Sequence, residues 1–103
     1  MSDATITVSS KTAEHFKDLP LDADADGKLR ALLEAEYRRR LSRYNLMDRT
    51  LEKKYGMTFE QFEKKRIVEQ KDFAWDVESD AIEWDLAASG IRTMRRKLTE
   101  LTA

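Results

Sequence analysis

The chain has no cysteine, one histidine, one proline and three glycines among its 103 residues. Without cysteine, neither disulfides nor thiolate metal sites are available. The single histidine, His15, leaves no room for a multi-histidine metal site or a histidine-based triad. Beside Glu14 it reads as a solvated side chain rather than a catalyst, which needs a positioned partner and a pocket. No apolar run approaches the ~20 residues of a membrane span. The opening MSDATITVSS lacks the basic-then-apolar pattern of a secretory leader. A soluble, cytoplasmic protein is expected. With so few glycines and prolines there are few loops, and the expected fold is mainly α.

What is present is charge, 38% of the residues against 41% hydrophobic. That ratio allows a thin core and long solvated helix faces. The net charge of −1 hides a block pattern. Residues 1–27 are net acidic, 28–71 net basic and 91–103 net basic, whereas residues 72–90 hold six acids and no base. Blocks of alternating sign suit pairing between segments or between chains, and they steer charged partners.

Apolar spacing organises the chain. Residues 4–9, ATITVS, alternate polar with apolar β-branched residues and predict one short N-terminal β-strand. A lone strand cannot satisfy its own backbone, so pairing with a second copy in a homodimer is expected. Residues 11–19 predict a short helix capped by Ser10 and stopped by Pro20. From Lys28 to Tyr55 the residues Leu29, Leu33, Tyr37, Leu41, Tyr44, Leu51 and Tyr55 recur at helical spacing. They predict a long helix ended by Gly56. Thr58 and Gln61 then form a capping-box pattern, and Met57 and Phe62 stand where a hydrophobic staple joins them. A shorter helix is predicted from there to about Val68. The last helix runs from about Val77 to Leu101, with Val77, Trp84, Ile91 and Leu98 seven apart. Gly90 interrupts it and marks a close helix approach. Two regions follow: residues 1–56 for dimerisation and possible DNA binding, and residues 57–103 as a helical partner-binding arm.

Several clusters invite chemistry. Asp22, Asp24, Asp26 and Gly27 stand as in the first half of a calcium loop. However, the twelfth position is Leu33, with Glu34 one residue late. The competing reading, an acidic linker whose Asp26 caps the long helix, needs no metal and is preferred. The basic runs Arg38–Arg40 with Arg43, Lys64–Arg66 and Arg95–Lys97 read as salt-bridge partners of nearby acids. The acidic block is more specific. It interleaves Phe73, Trp75 and Trp84 with Asp76, Glu78, Asp80 and Glu83. Aromatic anchors rimmed by negative charge suit a basic, base-stacking groove on another protein. Trp84 also lies on the heptad stripe, so a core position competes for it.

The order of TITVSS, KTAEHFKDL, a loop and LRALLEAEYRRRL resembles the ribbon-helix-helix antitoxins of prokaryotic toxin–antitoxin modules. The helical second half is similar to the tails of small antitoxin-type proteins. The resemblance implies a two-stranded ribbon, with Ile6 and Val8 facing the dimer core and Thr5, Thr7 and Ser9 facing operator DNA. Leu33, Tyr37, Leu41 and Tyr44 complete the expected dimer interface. No Arg or Lys stands on the strand and Pro20 ends the first helix early, two departures that bear on DNA contact and not on neutralisation. The function expected is that of an antitoxin binding a toxin with a basic, nucleic-acid-handling surface, and possible autoregulation of its operon. The alternatives are a DNA-binding regulator and a helical adaptor without a toxin. No enzyme activity and no cofactor are expected, since there is no glycine-rich phosphate loop and no catalytic donor set.

Overall fold

The seven-residue steps of the C-terminal helix and the tyrosines of the long helix face one another and set the architecture. A computed structural model describes residues 3–103. Five helices follow in order: α1 Ser10–Lys17, α2 Ala25–Tyr55, α3 Phe59–Lys64, α4 Ile67–Gln70 and α5 Trp75–Thr102. Helix α5 folds back antiparallel on α2. Tyr55 meets Asp80, Asp48 meets Trp84, Tyr44 meets Gly90, and Lys97 lies over the Tyr37 ring. The shape is a rod of 57 × 28 × 22 Å with a radius of gyration of 19.6 Å. A compact domain of this length has about 13 Å. Much helix surface is therefore left without an intrachain partner.

The connection between α2 and α3 is built as its residue types dictate. Gly56 takes a left-handed conformation at φ 66°, and its N–H donates to the Glu52 carbonyl at 2.8 Å. The Thr58 N–H donates to Gln61 Oε1 at 2.9 Å and the Gln61 N–H to Thr58 Oγ1 at 3.2 Å, closing the capping box. Met57 packs on the same apolar cluster as Phe62. That cluster joins Leu51 of α2, Phe62 of α3, Ile67 of α4, and Val77 and Trp84 of α5. The two regions marked out in the sequence thus share one core.

Four expectations need correction. No strand exists among the described residues. Residues 3–9 have no regular secondary structure, and Ile6 and Val8 are 71% and 52% exposed. Strand backbone needs a neighbour to pair with, and every other ordered segment of the chain is helical. The ribbon-helix-helix arrangement, with Ile6 and Val8 at its core and Thr5, Thr7 and Ser9 on DNA, goes with it. Ser9 instead caps α1 by accepting from the Thr12 N–H, which moves the cap one residue ahead of Ser10. Helix α2 starts at Ala25, capped by Asp24, whose Oδ1 accepts from the Gly27 N–H at 2.8 Å. Asp26 is inside the first turn and pairs with Arg30.

The helix expected from Thr58 to about Val68 is two helices, divided at Arg66, which is left-handed at φ 51°. A continuous helix would rotate Ile67 by about 140° from Phe62 and carry it off the core face. The break returns Ile67 to the core, 8% exposed. Asp72 and Phe73, at φ 52° and 56°, make a second sharp turn that sends α5 back along α2. Left-handed backbone at such residues costs of order 1–3 kcal/mol, and the packing of both helices holds it in place.

At Gly90 α2 and α5 approach closely: a Cβ there would stand 2.5 Å from the Tyr44 ring. Gly90→Leu is therefore expected to lower stability by about 1–3 kcal/mol through overpacking, although leucine is the better helix former. Urea denaturation measures it. A midpoint at or above that of the wild type would show that Tyr44 yields without cost.

Candidate functional site

Helix α5 carries two heptad faces. The inner face holds Val77, Trp84, Ala87 and Met94, all buried, with Ala81, Ile91 and Leu98 half-buried. Trp84 is fully enclosed among Tyr55, Phe59 and Phe62, with ring centroids 5.1–5.8 Å from its own. Its indole N–H donates to Asp48 Oδ1 at 2.8 Å. One turn before it, Asp80 accepts from the Tyr55 hydroxyl at 2.6 Å and from the Lys54 ammonium. Burial pushes the Asp80 carboxyl up, but the Lys54 and Tyr55 hydrogen bonds outweigh it and hold the group below the usual carboxylate range. The Asp80 hydrogen bond likewise raises Lys54. Asp80 is thus a structural carboxylate.

The outer face holds Trp75, Ser79, Ile82, Leu86, Ser89 and Thr93, alternating steps of four and three residues. Trp75 is 76% exposed, Ile82 72% and Leu86 62%. Phe73, in the turn before the helix, is 59% exposed. Trp75, Asp76, Ser79, Asp80 and Glu83 line an open hollow of about 540 Å³. Asp76, Glu78, Glu83 and Asp85 are exposed, and none closes an ion pair among the described residues. Of the six acids between residues 72 and 90, Asp80 is the one held by a base.

Acids elsewhere are divided: Asp18, Asp22, Glu52 and Glu63 close no ion pair among the described residues, while others are held by bases within a helical turn. Glu34 pairs with Arg38, Glu36 with Arg39 and Arg40, Glu60 with Lys64 and Glu100 with Arg96. Hydrogen bonds from Arg39 and Arg40 hold the Glu36 carboxyl down at about 2. The arginine-rich run of α2 is therefore largely self-neutralised, as its sequence indicated. Arg43, together with Arg39 and Arg40, lines a groove of about 490 Å³ with Tyr44, Met47 and Leu86.

Of the residues expected to bind a partner, Phe73, Trp75, Asp76, Glu78 and Glu83 reach solvent on or beside the outer face of α5. Asp80 is mostly covered and Trp84 is in the core. Ile82 and Leu86 were missing from that set, yet their spacing from Trp75 by seven and eleven residues announces the second face. Of the expected dimer residues, Tyr37, Leu41 and Tyr44 are half-buried on the α2 stripe that faces α5, and Leu33 is 44% exposed beside Leu29 and Leu32. Thr5 and Thr7 are exposed in the irregular N-terminal segment. Asp24 and Asp26 are engaged by a cap and an ion pair, and no three candidate ligands converge on a metal position among the described residues. No described helix is long and apolar enough to cross a membrane.

No protein-family model matches the chain, and no curated protein or solved structure is similar to it. The site is therefore read from its geometry alone.

The two tryptophans should separate cleanly in stability measurements. Trp84→Ala is expected to cost about 3–5 kcal/mol, as for other buried aromatics. Trp75→Ala should stay within about 0.5 kcal/mol of the wild type, as exposed positions do. Equal losses in chemical denaturation would refute the assignment of inner and outer faces.

The Asp80 carboxyl has a folded pKa below its unfolded value. Its stabilisation is thus complete above about pH 4, the ordinary aspartate value, and is lost as pH falls through the folded pKa. Asp80→Asn should be less stable at neutral pH and should lose less on acidification than the wild type does. Parallel acid limbs for the two proteins would remove Asp80 from the linkage.

Proposed function

We propose that this chain is an interaction protein of the antitoxin kind, which uses the N-terminal half of α5 to cover a basic, nucleic-acid-handling surface of a partner toxin. The observation that carries the reading is the exposed apolar row Trp75, Ile82 and Leu86, bordered by carboxylates that close no ion pair among the described residues. Scattered single apolar residues on a surface are ordinary, but a contiguous row with a charged rim is the anatomy of a binding site. Tryptophan is enriched among residues that dominate binding energy, and charge of one sign around it speeds encounter with a partner of the other sign. The strained turn at Asp72 and Phe73 supports the same reading, because it fixes where Phe73 and Trp75 emerge.

Co-expression with the product of the neighbouring gene tests the proposal. That product alone should arrest growth, and the wild-type chain should restore it. A Trp75→Ala/Asp76→Lys double variant, folded by circular dichroism, should restore growth at least tenfold less well in viable counts. Undiminished rescue would exclude segment 72–86 from the mechanism. A harmless neighbour would favour the helical adaptor over the antitoxin.

A further inference from the structure

On the interaction reading just given, we infer that what seats on α5 is an amphipathic helix of the partner, with lysine or arginine on both flanks of its apolar stripe. The argument starts from the positions next to the outer seam. In a paired helix, residues immediately beside the apolar seam face their counterparts on the neighbour and set its identity through charge. Here the seam is Trp75, Ser79, Ile82 and Leu86. One flank is Asp76 and Glu83, the other Glu78 and Asp85. All four flanking positions are acidic, exposed and without an ion pair among the described residues. The pattern ends with the segment: beyond Leu86 the seam becomes Ser89 and Thr93, and the flanks become Gly90 and Arg92. The footprint is thus twelve residues, Trp75 to Leu86, about 18 Å at the rise of an α-helix. Ser79 lies between the bulky residues and lets a neighbouring backbone come near.

The same geometry disfavours a second copy of this chain as the occupant. Two α5 helices packed antiparallel with Ile82 against Leu86 bring Glu83 onto its own counterpart and Asp85 onto its own. Parallel packing sets the Asp76/Glu83 flank of each copy against the Glu78/Asp85 flank of the other. Like charges at these positions oppose pairing, and they act as a filter against self-association. An irregular loop or a strand of the partner would make poor use of a seam in steps of three and four, whereas a helix matches it along its length. Charge and periodicity thus select one occupant, a basic helix about three turns long.

Synthetic helices provide the test. One heptad-patterned peptide has leucine in its seam and lysine on both flanks. A second replaces the lysines with glutamate, and a third scrambles the first. Trp84 is already enclosed, so a blue shift in tryptophan emission reports cover over Trp75. The lysine peptide should bind saturably to the intact chain and weaken as salt rises, while the glutamate and scrambled peptides bind at least tenfold more weakly. Ile82→Asp should abolish the shift without altering the urea midpoint. An Asp76→Lys/Glu78→Lys/Glu83→Lys/Asp85→Lys variant, which reverses both flanks, should reverse the preference towards the glutamate peptide, an outcome that loss of folding cannot imitate. Equal binding of the lysine and scrambled peptides, or no reversal, would overturn the inference. So would sedimentation showing a wild-type dimer that Ile82→Asp dissociates. If the peptides fail while Trp75→Ala/Asp76→Lys still loses rescue, the helical occupant falls and the interaction reading stands. If the peptides bind while rescue is undiminished, the reverse holds.

Discussion

The enclosure of Trp84 is the constraint from which the rest of the structure follows. An indole with no solvent exposure and a hydrogen bond to Asp48 can occupy one position along α2 and one rotation of α5. A shift of one residue in either helix would leave the indole N–H without an acceptor in an apolar cluster, at a cost of about 1–3 kcal/mol. Tyr55 with Asp80 on one side and Tyr44 with Gly90 on the other agree with that register. Phe59 and Phe62 close over the ring from α3, and they reach it because the Gly56 turn and the Thr58 box start α3 at the right place. The cap therefore acts on the core through the direction it gives a six-residue helix.

Fixing the rotation of α5 also fixes what α5 shows to solvent. Since Trp84 points to α2, Trp75 and Ile82 point away, and Leu86 opens onto the groove beside Tyr44 and Met47. They cannot turn inward without removing Trp84 from its pocket. The exposed row is in this sense rigid, and a partner meeting it need not order it first. Binding to a preformed face avoids the entropy loss that a folding-on-binding tail would incur. The arm lies along its own chain with one indole sealed and the other presented.

The parts of this arrangement that were legible in sequence are those settled by neighbours within one helical turn or by a repeated spacing. Gly56 as terminator, Thr58 with Gln61, and the seven-residue steps through Val77 and Trp84 are of that kind. The strand at residues 4–9 was not, because alternation describes a strand's faces and says nothing about whether a neighbour exists. The division at Arg66 was also hidden: arginine is an ordinary helix residue, and only the need to bring Ile67 under α5 makes it left-handed. At Ser9 and Asp24 the capping residue type was right and its position off by one or two, since adjacent Ser-Ser and alternating Asp-Ala offer several equivalent caps. For the candidate site, composition grouped two tryptophans that rotate apart, nine residues separating them by half a helical circumference.

The unpaired acids make the last step. The chain has 19 lysines and arginines, and bases three or four residues away hold Glu34, Glu36, Glu60 and Glu100. The segment 72–90 contains none, so its carboxylates have no such neighbour within it. Asp76 and Glu78 gain from the positive end of the α5 dipole, which has no side-chain cap. Glu83 and Asp85, more than two turns in, lie outside its reach. Glu83 lines the groove that holds Arg39, Arg40 and Arg43 without closing an ion pair to them, and Asp85 closes none either among the described residues. On the proposed reading, a basic partner would offset the cost of four acids beside an apolar seam, because cations laid along both flanks would satisfy all four carboxylates at once. Exposed carboxylates contribute little singly, but an apolar seam that excludes water between them raises the strength of each pairing. On the proposed reading, the acidic block serves a complex rather than the fold.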